Sequence, residues 1–442
     1  MIRYLLLFAA GFLATSTLSA QTRDEKVKND RAKFAQNDLW LYSDFPKAIE
    51  QAKESGKPIM VVLRCIPCEE CVKLDDELLE QDAELQALLK KFVCVRIIST
   101  NSLDLNVFQY DTDQSFAVFF LNADKTIYGR FGTRSHRTNW VGDVSIDGLK
   151  KAMNGALNLH QNFATVRPSL LAKTGPKPMY PTPVQFPNLK GKYEATINYN
   201  NQVARSCIHC HQIGEAVRDT YRVRKQAIPE ELLFPYPHPK MFGLVMDPKE
   251  KATIKAVEDA PGKGLITGFQ AGDEILTLNG QPLLSLADIQ WVLHHIPASG
   301  GKLTAVVKRG NKPVTLESTL PSGWRRQGDI SWRVSSWGLK RMTTGGLSLE
   351  ATPDDVRQRL KIPATNMALR VRAMGQYNEH AAAKRAGFQV GDIIVAFDGQ
   401  NDLLREQDIF FYGATVKKAG EKVKVNILRN QRSMTLELPM QQ

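Results

Sequence analysis

The chain has 442 residues, too many for a single domain and a fitting length for about three. Its hydrophobic fraction of 43% and charged fraction of 24% are those of ordinary folded domains. The net charge is +12, but Lys and Arg are interleaved with Asp and Glu, and no basic block carries the aromatics of a nucleic-acid surface. That charge leaves an acidic protein or a membrane surface open as a partner.

The N-terminus reads as an export signal. Arg3 supplies the positive end, residues 5–13 (LLLFAAGFL) the apolar stretch, and residues 14–20 a small-residue region with cleavage expected after Ala20. The run is too short to span about 30 Å of hydrocarbon. No cysteine at the cut marks a lipoprotein, and no later stretch is apolar enough to cross. The mature protein is expected to be soluble and periplasmic, or otherwise extracytoplasmic.

Residues 45–55 pattern as a helix stopped by Gly56. Residues 58–63 (PIMVVL) are a continuous apolar run, the mark of a buried parallel strand. A helix over 69–91 carries Leu74, Leu78, Leu85 and Leu89 on one face. Strands at 92–97, 116–121 and 126–131 follow, then a helix from 146 to 160. This order predicts an α/β sandwich. Of the six cysteines, five fall in two tight groups: Cys65, Cys68 and Cys71, then Cys207 and Cys210. Cys94 lies mid-strand and reads as a buried apolar side chain.

Lys57-Pro58 and its strand, leading into Cys68-Glu69-Glu70-Cys71-Val72-Lys73-Leu74-Asp75, resemble the thioredoxin superfamily over residues 38–162. The resemblance makes Cys68 the nucleophile and Cys71 the resolving cysteine, with Cys65 an extra. A thiolate at a helix N-terminus is favoured by the helix dipole and becomes reactive. The chain departs from the family in three places. Glu69 and Glu70 oppose a neighbouring thiolate, Pro67 replaces the usual tryptophan, and Ser115 stands where the family places a cis-proline. A redox dithiol, a structural disulfide and a copper or zinc site are all readings of Cys65, Cys68 and Cys71.

Six prolines between 168 and 187 mark a linker over 163–187. Residues 188–240 then hold Cys207-Ile208-His209-Cys210-His211. Two cysteines two residues apart, followed by histidine, form the c-type haem attachment pattern. Residues 205–221 can be helical, with the cysteines in the first turns; two thiols one helical turn apart can form thioethers with the porphyrin vinyl groups, and His211 can ligate the iron. Met241, Met246 and His238 are candidates for a second axial ligand. A small disulfide, or a zinc site using His209 or His211, is the alternative.

Residues 267–281 repeat at 386–400, an offset of 119 with eight of fifteen positions identical. Asn279-Gly280 and Asp398-Gly399 are hairpin-turn pairs. Both copies carry the AGhxxGDhIhxhNG signature and resemble bacterial PDZ domains, over 241–321 and 344–440. The resemblance places carboxylate-binding loops at Gly243, Leu244, Val245 and Met246, and at Gly346, Leu347, Ser348 and Leu349. The helices lining those grooves would be 285–295 and 406–414, with His294-His295 a surface or capping pair. In this mode a peptide adds a strand to the sheet edge. No serine-protease nucleophile motif is present.

The whole order resembles exported bacterial thioredoxin-like/PDZ proteins. It implies a multidomain α/β plus β-rich chain: a thioredoxin-like sandwich, a small helical CxxCH segment and two PDZ-like, partly open β-barrels. The expected function is thiol-redox and electron transfer, with haem c as cofactor and partner proteins bound through the PDZ pair. The competing expectation is a non-enzymatic adaptor whose thioredoxin-like fold is redox-silent.

Overall fold

The computed structural model describes residues 21–34, 37–64, 82–114, 116–132 and 143–441. Its N-terminal part is built on five strands: β1 (Trp40–Tyr42), β2 (Ile59–Arg64), β3 (Val93–Ile97), β4 (Phe116–Leu121) and β5 (Ile127–Phe131). They lie in the order β1-β3-β2-β4-β5, with β1, β3 and β2 parallel and β4 and β5 antiparallel. Every residue of β2, β4 and β5 is buried. The sheet is therefore covered on both faces, and successive side chains feed opposite layers.

Met60, Val62, Val118 and Phe120 enter one layer, where helices α3 (Ala83–Leu89) and α4 (Ile146–Gln161) contribute Leu85, Leu89, Ala152 and Met153. Ile59, Val61, Leu63 and Phe119 enter the other, against Ala48 and Ala52 of α2 (Phe45–Ser55). Asp44 caps α2 by accepting from the Lys47 N–H, and Gly56 ends it at φ 67°. The helix α1 (Arg23–Phe34) closes the end of the sheet where β2 and β3 finish. Of the helix expected over 69–91, the described residues hold Ala83–Leu89, capped by Asp82; residues 69–81 and Cys65, Cys68 and Cys71 lie outside the described residues.

The proline-rich stretch behaves differently from a connector. A helix α5 (Phe163–Leu170) carries Pro168 inside it, Lys173 is fully buried, and Phe186 and Leu189 join the second core layer. Backbone bonds from Leu105 to the Pro181 carbonyl and from Val184 to the Asn101 carbonyl tie it down. Prolines lack donors, but their carbonyls still accept, as Pro181 does from Leu105, while the non-proline Val184 donates to Asn101.

The two repeats form open sheets, with no closed barrel among the described residues. In the first, β8 (Glu274–Leu278), β9 (Gln281–Pro282), β10 (Gly301–Arg309) and β11 (Lys312–Leu320) make one sheet. Strands β6 (Leu244–Met246) and β7 (Ile254–Val257) pair separately, linked to it by the single bridge Thr253–Glu274. In the second, β12 (Leu347–Ala351), β13 (Leu369–Met374), β14 (Ile393–Phe397), β15 (Lys422–Arg429) and β16 (Arg432–Pro439) form one antiparallel sheet. The repeated turns have positive φ at both central residues, Asn279-Gly280 and Asp398-Gly399, as a type I′ hairpin requires.

The parts are fastened to one another by buried charge. Helix α7 (Leu286–His294) of the first repeat packs on β5, and Lys173 Nζ meets Asp288 Oδ1 at 2.9 Å with both side chains fully buried. Arg333 reaches Asp111 at 2.6 Å and Asp113 at 3.3 Å, again buried.

Candidate redox site

The CxxCH stretch sits directly against the N-terminal sheet. Thr100 and Asn101, just beyond β3, are buried and hold it by its backbone. Thr100 Oγ1 donates to the Ile208 carbonyl at 2.7 Å, and Asn101 Oδ1 accepts from the Ile208 N–H at 2.7 Å. Asn101 Nδ2 donates to the carbonyls of Glu194 and Ser206 at 2.7 and 2.8 Å. Ile208 itself enters the sheet's second core layer, with Cys210 packed against that layer.

Cys207 lies outside the helix that was expected to carry both cysteines. It is extended, at φ −88° and ψ 132°, and helix α6 (Cys210–Val223) begins only at Cys210. The break has two causes, one distant and one local: Asn101 takes the Ile208 N–H, and Gln212 Oε1 accepts from the His209 N–H at 2.7 Å, as an N-terminal helix cap does. Cys210 and His211 then occupy the first turn. His211 Nδ1 is 3.2 Å from Glu215 Oε1, one turn on, and the His209 and His211 rings stack at 5.9 Å.

No disulfide joins Cys207 and Cys210. Cys207 is buried, and burial, helped by the Asp24 carboxylate, pushes its thiol up to about 11. Burial also holds His209 below the ordinary imidazole value, with His211 and Arg23 adding to the effect. Cys94 is buried as expected, its Sγ 3.4 Å from the Leu89 carbonyl, and burial raises its thiol further.

Helix α1 connects this stretch to the end of β2. Its Asp24 Oδ1 accepts from the Ala204 N–H at 2.8 Å, close to Cys207. Its Asp30 accepts from Arg64 Nη1 at 3.1 Å, Arg96 Nη2 at 2.8 Å and the Tyr42 hydroxyl at 2.9 Å. Arg64 is the last residue of β2, and the chain runs from it straight into Cys65. Asp24 and Asp30 are six residues apart, about 9 Å along the helix axis. Arg31 lies over the Tyr199 ring at 4.0 Å, and Tyr199 lines a cavity of about 580 Å³ with Phe45, Ile49, Ile97 and Phe108. The sequence reading missed Thr100, Asn101, Asp24 and Asp30, since polar residues in loops and on charged helices carry no pattern of their own.

The donor set suits a covalent haem: two unbridged thiols and an imidazole whose Nδ1 is engaged by a carboxylate, the outer-shell arrangement of metal-bound histidines. Cys207 is 5% exposed with the Asp24 carboxylate near it, so its sulfur must be uncovered before a thioether can form there. The three candidate second ligands belong elsewhere. Met241 and Met246 are buried in the core of the first repeat, and His238 Nδ1 caps the Lys240 N–H at 3.1 Å. Among the described residues, no group of three or more His, Cys, Asp or Glu converges as a metal site.

In the two Gly-Leu stretches read as carboxylate loops, the glycine amides bond within the chain. The Gly243 N–H bonds the Lys240 carbonyl, and the Gly346 N–H bonds the Lys340 carbonyl. Leu244, Val245 and Met246 form β6; Leu347, Ser348 and Leu349 open β12. His295 is exposed and caps the C-terminus of α7, as expected, while His294 is half-buried: it stacks on Tyr236 at 4.1 Å and its Nδ1 accepts from the Tyr236 N–H at 3.3 Å. Among the described residues, no helix is long and apolar enough to cross a membrane.

Residues 40–123 match the family model Thioredoxin_7, described as thioredoxin-like, and the chain contains a thioredoxin-like domain. No curated protein matches the sequence. Among solved structures, the chain is similar to "HtrA-type protease AlgWS227A with decapeptide" at 15% identity and a TM-score of 0.21. That match covers 32% of this chain and 40% of the other. It is similar to "HtrA-type protease AlgW with decapeptide" at 16% identity and a TM-score of 0.20, over 32% and 49%. The chain thus spans less than half of either structure, and likeness at that level assigns neither fold nor activity.

Proposed function

We propose that the protein is an extracytoplasmic thiol-redox and electron-transfer protein. In this reading Cys68 exchanges disulfides and Cys71 resolves the mixed disulfide. Cys207 and Cys210 hold a haem c whose iron His211 ligates, and the two PDZ-like repeats bind the C-termini of partners. One observation carries it: the CxxCH stretch is fastened to the thioredoxin-like sheet at the end where β2 delivers the chain to Cys65, with α1 bonded to both sides. Haem bound there would supply a one-electron couple. The protein's own part is to fix the attachment backbone through Asn101 and Thr100 and to orient the His211 ring through Glu215.

The export signal supports the reading, since thioether attachment and disulfide exchange both belong outside the cytoplasm. The test of the dithiol is a Cys68→Ser variant of the mature protein, assayed for reduction of a disulfide-bonded substrate. Loss of exchange supports the assignment, and full retention removes Cys68 from it. A second reading, a redox-silent adaptor, is favoured by the burial of Cys207, whose raised thiol is poorly nucleophilic at neutral pH.

A further inference from the structure

The free edge of β12 in the second repeat is the edge to which an incoming peptide strand would add, beside helix α9 (Glu406–Thr415). Two of its backbone groups are already engaged within the chain. Leu349 N–H donates to Glu406 Oε1 at 2.7 Å, and the Leu347 carbonyl accepts from Thr344 Oγ1 at 3.2 Å. The Gly346 N–H, which the peptide-binding reading assigns to a terminal carboxylate, caps helix α8 (Ser336–Thr344) through the Lys340 carbonyl at 2.9 Å.

Helix α8 packs on both β12 and α9. Lys340 Nζ lies 3.5 Å from Glu406 Oε2 and 3.3 Å from Ser348 Oγ, and all three side chains are buried. The contact between the helices is close: a Cβ built on Gly413 would lie 2.8 Å from Thr343 Cβ. The outer face of α8 is held by the CxxCH helix. Arg218 donates to the carbonyl of Ser335, the residue before α8, at 2.9 Å, Asp219 pairs with Arg341 at 3.0 Å, and Arg222 reaches the Met342 carbonyl at 3.4 Å.

We propose that α8 is a built-in latch that occupies the peptide-binding edge of the second repeat, so that a partner's extended C-terminus binds only when α8 swings out. The proposal rests on the peptide-binding reading of the repeats. Because α6 holds the latch from outside, displacement of α8 breaks the Arg218 and Asp219 contacts on the helix that begins at Cys210 and His211.

The test uses the mature full-length chain and its Gly413→Ala variant. Alanine suits the interior of α9 by helix propensity, yet its methyl wedges against Thr343. The probe is a fluorescein-labelled hexapeptide pool ending in free Val, Leu or Phe, read by anisotropy, with hydrogen exchange reporting on residues 336–344. The latch predicts faster exchange there and about a tenfold or greater gain in affinity, as a small competent fraction becomes a large one. The double variant Thr343→Gly/Gly413→Ala, which makes room for the methyl, returns both readouts to wild type. If the wild type binds as tightly as the variant, the peptide-binding reading stands and the latch alone falls. If α8 loosens with no gain in binding while the wild type binds the pool, the latch is likewise overturned. If no form binds the pool, the peptide-binding reading falls and takes the latch with it.

Discussion

Asn101 accepts the Ile208 N–H at 2.7 Å from a fully buried position beyond β3, so a residue of the thioredoxin-like sheet fixes the backbone between the two cysteines of the CxxCH stretch. The same side chain donates to the carbonyls of Glu194 and Ser206. Asn101→Ala leaves a buried N–H and two carbonyls unsatisfied and should cost about 3 kcal/mol. Urea unfolding measures that loss. Limited alkylation of the folded variant should show Cys207 labelled faster than in wild type, because the backbone segment that carries it is no longer held.

Lys173 and Asp288 form a second dependency. Asp288 also accepts from the Arg130 and Leu284 N–H groups, at 3.2 and 2.9 Å, so it serves the interface between β5 and α7 even without its charge. Lys173→Met strands a buried carboxylate and should cost about 4 kcal/mol. Lys173→Met/Asp288→Asn removes both charges and keeps an acceptor. It should recover most of that loss in the same unfolding assay, and a double variant no more stable than the single would remove the ion-pair argument.

Acid should destabilise the fold through its half-buried imidazoles. Burial holds His294 well below its ordinary value, with Arg325 and His295 reinforcing it, and His209 is lowered by burial, then by His211 and Arg23. In the unfolded chain these rings protonate near pH 6.5, so there the unfolded state binds more protons than the native state. Their contribution is fully present above pH 6.5 and is lost as pH falls below it. The urea midpoint should drop between pH 7.5 and 5.0, and His294→Gln should shrink that drop.

The Cys207 thiol offers a direct reading of its surroundings. With its thiol pushed up to about 11, alkylation by iodoacetamide in haem-free protein should keep rising through pH 10 instead of levelling near 9. Asp24→Asn removes the charge beside it and should move that rise to lower pH. Peptide mass spectrometry across a pH series reads both curves, and identical curves would remove Asp24 from the account.

The thioredoxin-like sheet was largely legible because its strands are uniform apolar runs: 116–121 and helix 45–55 fall where the pattern puts them. Strand β1 was not read, since Trp40–Tyr42 is three residues long and is made a strand by pairing with Cys94–Arg96. The duplicated turns gave the repeats away, but not the ion pairs behind them. Asp273 and Asp392, each 1% exposed, are gripped by Arg309 and Arg429 from strands β10 and β15. Those arginines are ordinary strand-end residues until the sheet brings them together. Cys207 was placed in a helix because its spacing to Cys210 allows one. The extended geometry comes from Asn101, about a hundred residues away, which no local pattern encodes.

The most direct test is the visible spectrum of the mature chain expressed in a periplasm with active cytochrome c maturation, taken after denaturing extraction. The account predicts haem that stays with the polypeptide and is lost in a Cys207→Ala/Cys210→Ala variant. A haem-free chain, produced beside a control cytochrome that matures normally, would contradict it and leave Cys68 and Cys71 as the redox pair.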